Sequence, residues 1–293
     1  MRVGFIGIGN MGTPMSGHIV KGGHDVVLYD ADVKRAREVA RTHGCRAAES
    51  VTELGSSEFV VTMLPDGNVV RRVMLGEGGE GGLARHLKPG AVLIDMSSSD
   101  PVGTRALGQD LKPFGVGLID APVSGAVPRA TTATLAIMIG GDDTAAIEKA
   151  KPLLRCMGDR LFETGGLGNG HAMKALNNFI AATAFSACSE AILIAKRFGL
   201  DAGTMVDILN ASTGRSFITE VVLKDHVLAG KFATGFQLGL LAKDVRIAAD
   251  LGEHVKLDAP VSRLVRERWA MARDQLGATR DNSEAIRSWD SDL

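Results

Sequence analysis

The chain has 293 residues, of which 45% are hydrophobic and 23% charged, and its formal net charge is −1. This length fits one large domain or two ordinary ones, and the composition is that of a globular protein with a buried core. A near-neutral charge without basic runs argues against a nucleic-acid partner. No apolar run is expected to span a bilayer, and the glycine-broken start MRVGFIGIGN is interpreted as a buried strand instead of a signal peptide.

The three cysteines, Cys45, Cys156 and Cys188, are far apart and show no CxxC spacing. An odd number of scattered cysteines argues against a disulfide framework and against a structural zinc site. We therefore expect free thiols in a cytoplasmic protein that needs no metal.

The first half of the chain alternates between β-branched apolar runs and helix-like segments. The predicted strands are RVGFIG, DVVLYD, FVVTML, AVLIDM, GLIDAP and TLAIMIGG. The helix-like segments include MGTPMSGHIVKGG and VKRAREVARTHG. This alternation predicts an α/β fold, in which a Rossmann-like, doubly wound domain has a mainly parallel sheet with helices on both faces.

Beyond about Gly165 the strand-like runs stop and helical patterns with recognisable ends take over. The predicted helices cover about 171–198, a segment capped by Asp201, 236–251 with a stop at Gly252, and 259–276 with a stop at Gly277. We therefore predict two domains, a Rossmann-like domain over 1–164 and an all-α domain over 165–293.

The segment VGFIGIGNMGTPM contains Gly7, Gly9 and Gly12 in the GxGxxG spacing, after a strand and before a helix. In this motif the first glycine permits a tight turn, the second lets a pyrophosphate approach the backbone, and the third allows close helix–strand packing. The helix N-terminus then offers free N–H groups to the phosphates. By contrast, the glycine-rich loop GEGGEGG at 76–82 lacks the lysine and hydroxyl residue of a P-loop.

Asp30 ends the second predicted strand, 18 residues after Gly12. This separation is close to that expected for a carboxylate that binds the ribose hydroxyls of a dinucleotide. A carboxylate there repels a 2′-phosphate, and Lys34 and Arg35 are expected to face solvent, so NAD is predicted over NADP. A turn-forming or helix-capping acid is the alternative interpretation.

The segment GGLGNGHAMKALNNF, residues 165–179, runs from a glycine-rich turn directly into an apolar helix that contains a lysine. Lys174 and Asn178 lie four residues apart on one helix face, and Gly170 on the same face leaves room for a ligand or for backbone. A lysine whose stem extends to the surface is the alternative. From this segment alone both interpretations stay open.

Four segments in this order, FIGIGNMGTPM, DAPVSGA, GNGHAMKALNN and LLAKDVRIAAD, resemble the motifs of the β-hydroxyacid dehydrogenase family, of which 3-hydroxyisobutyrate dehydrogenase is the best-known member. The resemblance covers essentially the whole chain. The family's GxGxxxKxxNN motif is filled at every fixed position, by Gly168, Gly170, Lys174, Asn177 and Asn178. The resemblance implies that Lys174 acts as general acid and base on the substrate oxygen.

The resemblance also implies binding roles for other residues. The residues assigned to the substrate carboxylate and its pocket are Ser124, Gly125, Ala126, Asn178 and Arg215, with Ser212 and Ser216 near the last. The residues assigned to NAD are Gly7, Gly9, Asn10, Met11, Gly12, Asp30, Leu64, Pro65, Ser98 beside Ser97, Phe236 and Lys243. His171, one turn before Lys174, is interpreted as a solvated residue at the helix start, and a second positive charge near Lys174, when His171 is protonated, is the alternative.

The chain departs from the family pattern in the substrate loop. Ala126 replaces the usual second glycine, and Arg129 and Ala133 stand where glycines are common. We hypothesise that Arg129 favours a substrate with a second anionic or polar group. An outward-facing loop arginine is the alternative.

Together these features predict an NAD-dependent dehydrogenase of a small β-hydroxy acid. A semialdehyde reductase of the tartronate semialdehyde or sulfolactaldehyde type is the first alternative, and a non-catalytic NAD-binding protein is the second. Lys174 argues against an imine reductase built on the same scaffold. The apolar segment LNNFIAATAFSACSEAILIA is more apolar than a one-sided surface helix requires, which favours a homodimer or homotetramer.

Overall fold

The computed structural model describes residues 1–79 and 81–290 of the chain. Glu80, in the predicted glycine-rich loop, and residues 291–293, at the end of the predicted helical domain, lie outside this description. The chain divides into two compact units, Met1–Lys174 and Ala175–Leu293.

The first unit is built on a nine-stranded sheet. Its strands are β1 Arg2–Ile6, β2 Asp25–Tyr29, β3 Arg46–Ala47, β4 Phe59–Thr62, β5 Val92–Asp95, β6 Gly117–Asp120, β7 Val123–Ser124, β8 Ala136–Gly140 and β9 Arg160–Gly165. They run in the order β3-β2-β1-β4-β5-β6-β8-β7, with β9 paired to β8. The first six strands are parallel and have the strand order of dinucleotide-binding folds, whereas β8 is antiparallel to β6 and β7. All six predicted strands are confirmed, and β3, β7 and β9 were not predicted.

Helices connect these strands and form two hydrophobic cores with them. The helices are α1 Gly12–Lys21, α2 Val33–His43, α3 Gly67–Leu75, α4 Pro101–Leu111, α5 Ala126–Thr131 and α6 Thr144–Arg155. Val3 and Phe5 of β1 belong to one core and Ile6 to the other. Since neighbouring side chains of a strand point to opposite faces, the sheet is covered on both faces. The predicted doubly wound architecture is therefore confirmed.

The second unit is helical, as predicted. Its main elements are α7 Asn169–Phe198, which begins in the first unit, then α8 Ala202–Asn210, a π-helix Ile218–Leu228, α9 Leu238–His254 and α10 Pro260–Leu276. Its core contains three tilted or edge-on aromatic rings, Phe185, Trp269 and Trp289, with centroids 5.7 to 5.9 Å apart. Such geometries are favourable for aromatic pairs.

Among the predicted helix boundaries, the start of α8 and the end of α10 are confirmed. Asp201 caps α8 by accepting a hydrogen bond from Thr204 N at 2.8 Å, and α10 ends at Gly277. The predicted stop of α9 at Gly252 is wrong, because the helix continues to His254. Lys256, with φ of +57°, supplies the left-handed residue beyond the helix end that a glycine often provides.

Helix α7 also corrects the expectation about membrane spans. By length and composition alone, its 30 residues qualify as a candidate span, with mean hydropathy 1.5 over an 18-residue window. However, 44% of that window is buried within the chain, and core helices of globular proteins meet the same criterion. The length of this apolar run is hard to recognise in the sequence because Lys174, Asn177 and Asn178 interrupt its first turns.

Candidate active site

The three glycines of the dinucleotide loop are required for different reasons. Gly7 has φ of +98°, and a side chain there would collide with the carbonyl oxygen of Met63. A side chain on Gly12 would overlap the carbonyl oxygen of Gly7, so this glycine permits the close approach of α1 to β1. A Cβ on Gly9, however, would meet no protein atom within 4 Å. Packing therefore explains Gly7 and Gly12, and Gly9 fits close approach by a pyrophosphate.

The N-terminus of α1 fits the same ligand. Met11 occupies its N-cap position without any side-chain hydrogen bond to the cap. The adjoining Gly9 and Asn10 line a cleft of about 560 Å³, together with Val127 and Thr131 of α5. A helix N-terminus with uncapped N–H groups beside an open cleft is suited to phosphate oxygens.

Asp30 lies directly after β2, and its carboxylate is held by backbone. Its Oδ2 accepts from Ile8 N at 2.7 Å, and its Oδ1 accepts from Asp32 N at 2.9 Å. A carboxylate accepts about four hydrogen bonds, so acceptor sites remain for ribose hydroxyls. Arg35 is exposed, but it also lines the cleft beside Gly9 and Asn10, and its guanidinium lies 3.5 Å from Asp32. These contacts are compatible with ribose binding, which stays a prediction.

The two loops that follow β4 and β5 are joined by hydrogen bonds. Leu64 N donates to Ser97 Oγ at 2.9 Å, and Ser97 N donates to Asp95 Oδ1 at 3.0 Å. Asp95 Oδ1 also accepts from Thr62 Oγ1 at 2.9 Å. The loops that contain the predicted cofactor residues Leu64, Pro65 and Ser98 are therefore fixed to each other and to the sheet.

The predicted carboxylate-binding loop begins at Ser124, in β7, and has an unusual backbone. Gly125 has φ of +134°, and its neighbour Ala126 has φ of +53°. A Cβ on Gly125 would lie 2.5 Å from Cδ of Arg129, so the arginine stem fills the space beside this glycine. Ala133 also has a left-handed backbone, with φ of +57°. Alanine costs roughly 1–2 kcal/mol in this conformation, which explains why glycine suits both alanine positions.

The start of the lysine-containing helix is anchored on the sheet by Asp120, the last residue of β6. Its Oδ1 accepts from Gly168 N and its Oδ2 from His171 N, both at 2.8 Å. A Cβ on Gly170 would overlap the carbonyl oxygen of Met138 and lie 2.9 Å from Asp120 Oδ2. The room predicted beside Gly170 is therefore taken by protein backbone and by this carboxylate. Lys174 follows one turn later and is half-buried.

His171 corrects the interpretation of a solvated helix-start residue, because only 1% of it is exposed. Its Nδ1 lies 2.8 Å from Thr104 Oγ1, and its Nε2 lies 3.1 Å from the carbonyl oxygen of Ser97. Asp95 and Asp120 are also buried and were not predicted as functional. The available signal was an aspartate at the end of an apolar strand, in VLID and GLID, because a buried carboxylate requires hydrogen-bond donors.

Several of the predicted residues lie in the second unit. Asn178 donates from Nδ2 to Asp244 Oδ2 at 2.7 Å, and Nζ of Lys243 lies 3.5 Å from Asp244 Oδ1. Asp244 is 1% exposed and was not predicted. It orients both Asn178 and Lys243, whose binding roles stay predictions.

Arg215 and Phe236 are held by other contacts of the second unit. Arg215 Nε lies 3.6 Å from Glu220 Oε1. Phe236 packs against the helical core, and its carbonyl oxygen accepts from Asn282 Nδ2 at 2.8 Å. These contacts leave the substrate role of Arg215 and the cofactor role of Phe236 as predictions.

Within residues 1–79 and 81–290, no group of three or more histidine, cysteine or acidic side chains is arranged to hold a metal ion. The cysteines are free and partly buried. Burial raises the pKa of the Cys45, Cys156 and Cys188 thiols, which makes them poor nucleophiles near neutral pH.

Two family models match the chain. Residues 2–166 match the NAD binding domain of 6-phosphogluconate dehydrogenase. Residues 168–289 match the model described as NAD-binding of NADP-dependent 3-hydroxyisobutyrate dehydrogenase. Both matches agree with a dinucleotide-binding unit followed by a helical unit.

Individual proteins agree with these models. The chain is 32% identical to 2-(hydroxymethyl)glutarate dehydrogenase of Eubacterium barkeri over 99% of its length and 95% of the relative's. It is 30% identical to 3-sulfolactaldehyde reductase of Escherichia coli K12, covering 92% and 90% of the two chains. A solved structure of Mycobacterium tuberculosis 3-hydroxyisobutyrate dehydrogenase with L-serine superposes with a TM-score of 0.88, at 30% identity and 98% coverage of each chain. The chain therefore belongs to the β-hydroxyacid dehydrogenase family and is an NAD-dependent oxidoreductase that acts on hydroxyl groups.

Proposed function

We propose that this enzyme transfers a hydride between NAD and a small β-hydroxy acid similar to 3-hydroxyisobutyrate, with Lys174 as general acid and base. The observation that carries the proposal is the anchoring of α7 by Asp120, one turn before Lys174. Asp120 holds the start of α7 at the carboxyl end of β6, and the dinucleotide loop follows the same end of β1. Carboxyl ends of parallel strands share one edge of a sheet, which is where ligands of this fold bind.

The proposed chemistry requires one proton donor and acceptor at the reacting oxygen. In the reducing direction, the Lys174 ammonium donates a proton to the carbonyl oxygen as the hydride reaches the carbonyl carbon. In the oxidising direction, the neutral amine accepts the hydroxyl proton as the hydride leaves the same carbon. When bound, the cofactor would supply the hydride as NADH in the reducing direction and would accept it as NAD+ in the oxidising direction. Positioned acid–base catalysis of this kind contributes roughly 10²–10⁴-fold to a rate.

The substrate carboxylate is proposed to bind at Ser124, Gly125 and Ala126. The hydroxyl of Ser124 and the N–H groups of the following residues are suited to carboxylate oxygens, since turns with left-handed residues present successive N–H groups to anions. Ser124 is half-buried, and the backbone at the next two residues has positive φ. Asn178 and Arg215 are retained as substrate-binding proposals on the resemblance alone.

Arg129 supports a substrate with two anionic groups. It is exposed, and its stem packs on Gly125 of the proposed carboxylate loop. Among the described residues its guanidinium makes no ion pair, so the charge is available to a ligand. The Eubacterium barkeri relative, at 32% identity, is named for a hydroxy acid with two carboxylates. Arginine pairs well with carboxylates because its donors match their geometry.

Reduction of an anionic semialdehyde is the second candidate function. The 3-sulfolactaldehyde reductase at 30% identity favours it, and Lys174 would act in the same way. A non-catalytic NAD-binding protein is the remaining alternative, and it predicts cofactor binding without turnover. A cytoplasmic location and a homodimeric or homotetrameric state are further proposals; exposed apolar side chains, such as Ile194 and Met271, support the latter.

A substrate panel tests this proposal. NADH formation is measured with 3-hydroxyisobutyrate, 3-hydroxypropionate, serine, glycerate, threonate, 2-(hydroxymethyl)glutarate and sulfonated three-carbon alcohols. We expect turnover of a β-hydroxy acid, with higher kcat/KM for those that have a second anionic group. Cofactor binding without turnover of any compound, in either direction, would favour the non-catalytic alternative.

Arg129→Gln is measured on the same panel. Loss of one charged hydrogen bond of about 1.5–3 kcal/mol predicts a fall of roughly tenfold or more in kcat/KM for dianionic substrates only. Arg155→Gln, an exposed arginine in the last turn of α6, is the matched control. Equal effects of Arg129→Gln on monoanionic and dianionic substrates would refute the role of Arg129.

A further inference from the structure

A buried polar cluster lies at the carboxyl edge of the sheet, one helical turn before Lys174. It consists of His171, Asp95, Asp120, Thr104 and Ser97, each of which is at most 4% exposed. Burying polar side chains costs free energy unless every group is hydrogen-bonded. An apolar residue at position 171 would leave the Ser97 carbonyl oxygen without the hydrogen bond it receives from the imidazole.

The His171 ring is held at both nitrogens. Nε2 lies 3.1 Å from the carbonyl oxygen of Ser97, and a carbonyl only accepts, so Nε2 carries the proton of this bond. Nδ1 lies 2.8 Å from Thr104 Oγ1 in α4. The backbone N–H of the same residue donates to Asp120 Oδ2 at 2.8 Å. His171 is thus fixed from the loop after β5, from α4 and from the end of β6.

The bond to Ser97 connects the lysine helix to the predicted cofactor loops. Ser97 precedes Ser98, which is predicted near the nicotinamide ribose, and its Oγ accepts from Leu64 N at 2.9 Å. Lys174 lies three residues after His171, about one helical turn along α7. A short chain of hydrogen bonds therefore runs from the loop after β4, through the loop after β5, to the turn before Lys174.

We propose that His171 is a positioning residue, which sets the distance between Lys174 and the nicotinamide end of the bound cofactor by fixing the Ser97–Ser98 loop to α7. This proposal rests on the proposed role of Lys174. A hydride donor, a hydride acceptor and a proton donor must be aligned together, and a misplacement of about 1 Å can cost on the order of 10²-fold in rate. The proposal therefore concerns kcat more than affinity for NAD.

The test compares His171→Phe with His171→Gln, by kcat per folded molecule and by NADH dissociation constant. Phenylalanine removes both side-chain hydrogen bonds, so we expect kcat to fall roughly 10- to 100-fold while NADH affinity changes little. The glutamine amide can donate to the Ser97 carbonyl and should recover most of this loss. A kcat near that of the wild type in His171→Phe, or a change confined to NADH affinity, would overturn the proposal.

Thr104 provides a second pair of variants in case His171→Phe does not fold. Thr104→Val removes the hydroxyl that holds Nδ1, whereas Thr104→Ser keeps it. We expect kcat to fall in the first and to stay near the wild-type value in the second. Equal kcat in the two variants would overturn the positioning role.

Trp269→Phe is the control for a purely structural effect. The Trp269 ring is fully buried in the second unit, and its Nε1 donates to Ser186 Oγ at 3.0 Å. Its loss should lower stability without lowering kcat per folded molecule. Lys174→Met is measured alongside, and the proposed function fails if this variant retains turnover. If turnover is lost in Lys174→Met but kcat is unchanged in the His171 variants, the proposed function stands and the role of His171 is refuted.

Discussion

At the scale of single residues, Asp30 is held by the fold in a position where it is also predicted to bind the cofactor. Its two oxygens accept backbone hydrogen bonds from Ile8 and Asp32, so the carboxylate stays at the tip of β2 next to the dinucleotide loop. A fixed negative charge at this position is predicted to favour ribose hydroxyls and to repel a 2′-phosphate. The structural and ligand-binding interpretations of Asp30 are therefore compatible.

Asp30→Asn is predicted to weaken the preference for NAD over NADP. Repulsion between unit charges at 4 Å is about 1–4 kcal/mol near a protein surface, which corresponds to roughly tenfold or more in kcat/KM. Steady-state kinetics with both cofactors measure the ratio. Equal catalytic efficiency with NAD and NADP in the wild type would contradict the role assigned to Asp30.

At the scale of elements, the two helix caps differ in how far the sequence predicts them. Asp201 caps α8 through a hydrogen bond to Thr204, three residues away, and this cap was predicted from its local pattern. Asp120 caps α7 from 51 residues away in the chain, through His171 N. Such a partner is defined only once the strands are assembled, so single-sequence patterns do not reveal it.

The cap of α8 predicts a pH-dependent contribution to stability. The hydrogen bond from the Thr204 backbone N–H lowers the pKa of Asp201 below its ordinary value. A lowered pKa means that the contribution is present above the unfolded-state pKa, near 3.9, and is lost as pH falls through the folded-state pKa.

The Tm difference between wild type and Asp201→Ala should therefore be largest near neutral pH and shrink in acid. An asparagine caps a helix without titrating, so the Tm difference between Asp201→Asn and Asp201→Ala should not depend on pH in this way. The same Tm difference at neutral and acidic pH would argue against the cap.

At the scale of the whole molecule, the alternation of strand and helix patterns was sufficient to predict the fold class. The edge strand β9, RLFETG, was missed because its side chains are mostly exposed and it lacks an apolar run. The His171 interpretation failed for a related reason. A polar residue near a glycine-rich turn normally meets water, and only the packing of α7 on the sheet shows that this one is buried.

The sequence allows candidate site residues to be proposed where they follow a strand in a recognisable motif, as Gly7 and Lys174 do. It was predicted least where a residue supports another across the fold. Asp95, Asp120 and Asp244 belong to this second group, since their role depends on which N–H groups lie beside them. A buried carboxylate at a strand end is the pattern that identifies the first two.

The central claim, that Lys174 is the general acid and base, is tested most directly by the kcat of Lys174→Met with the best substrate of the panel. Lys196→Met, an exposed lysine later on the same helix, is the matched control. We expect kcat to fall roughly 10²–10⁴-fold in Lys174→Met, with NADH affinity unchanged and the control fully active. Retention of kcat within about tenfold of the wild type would contradict it.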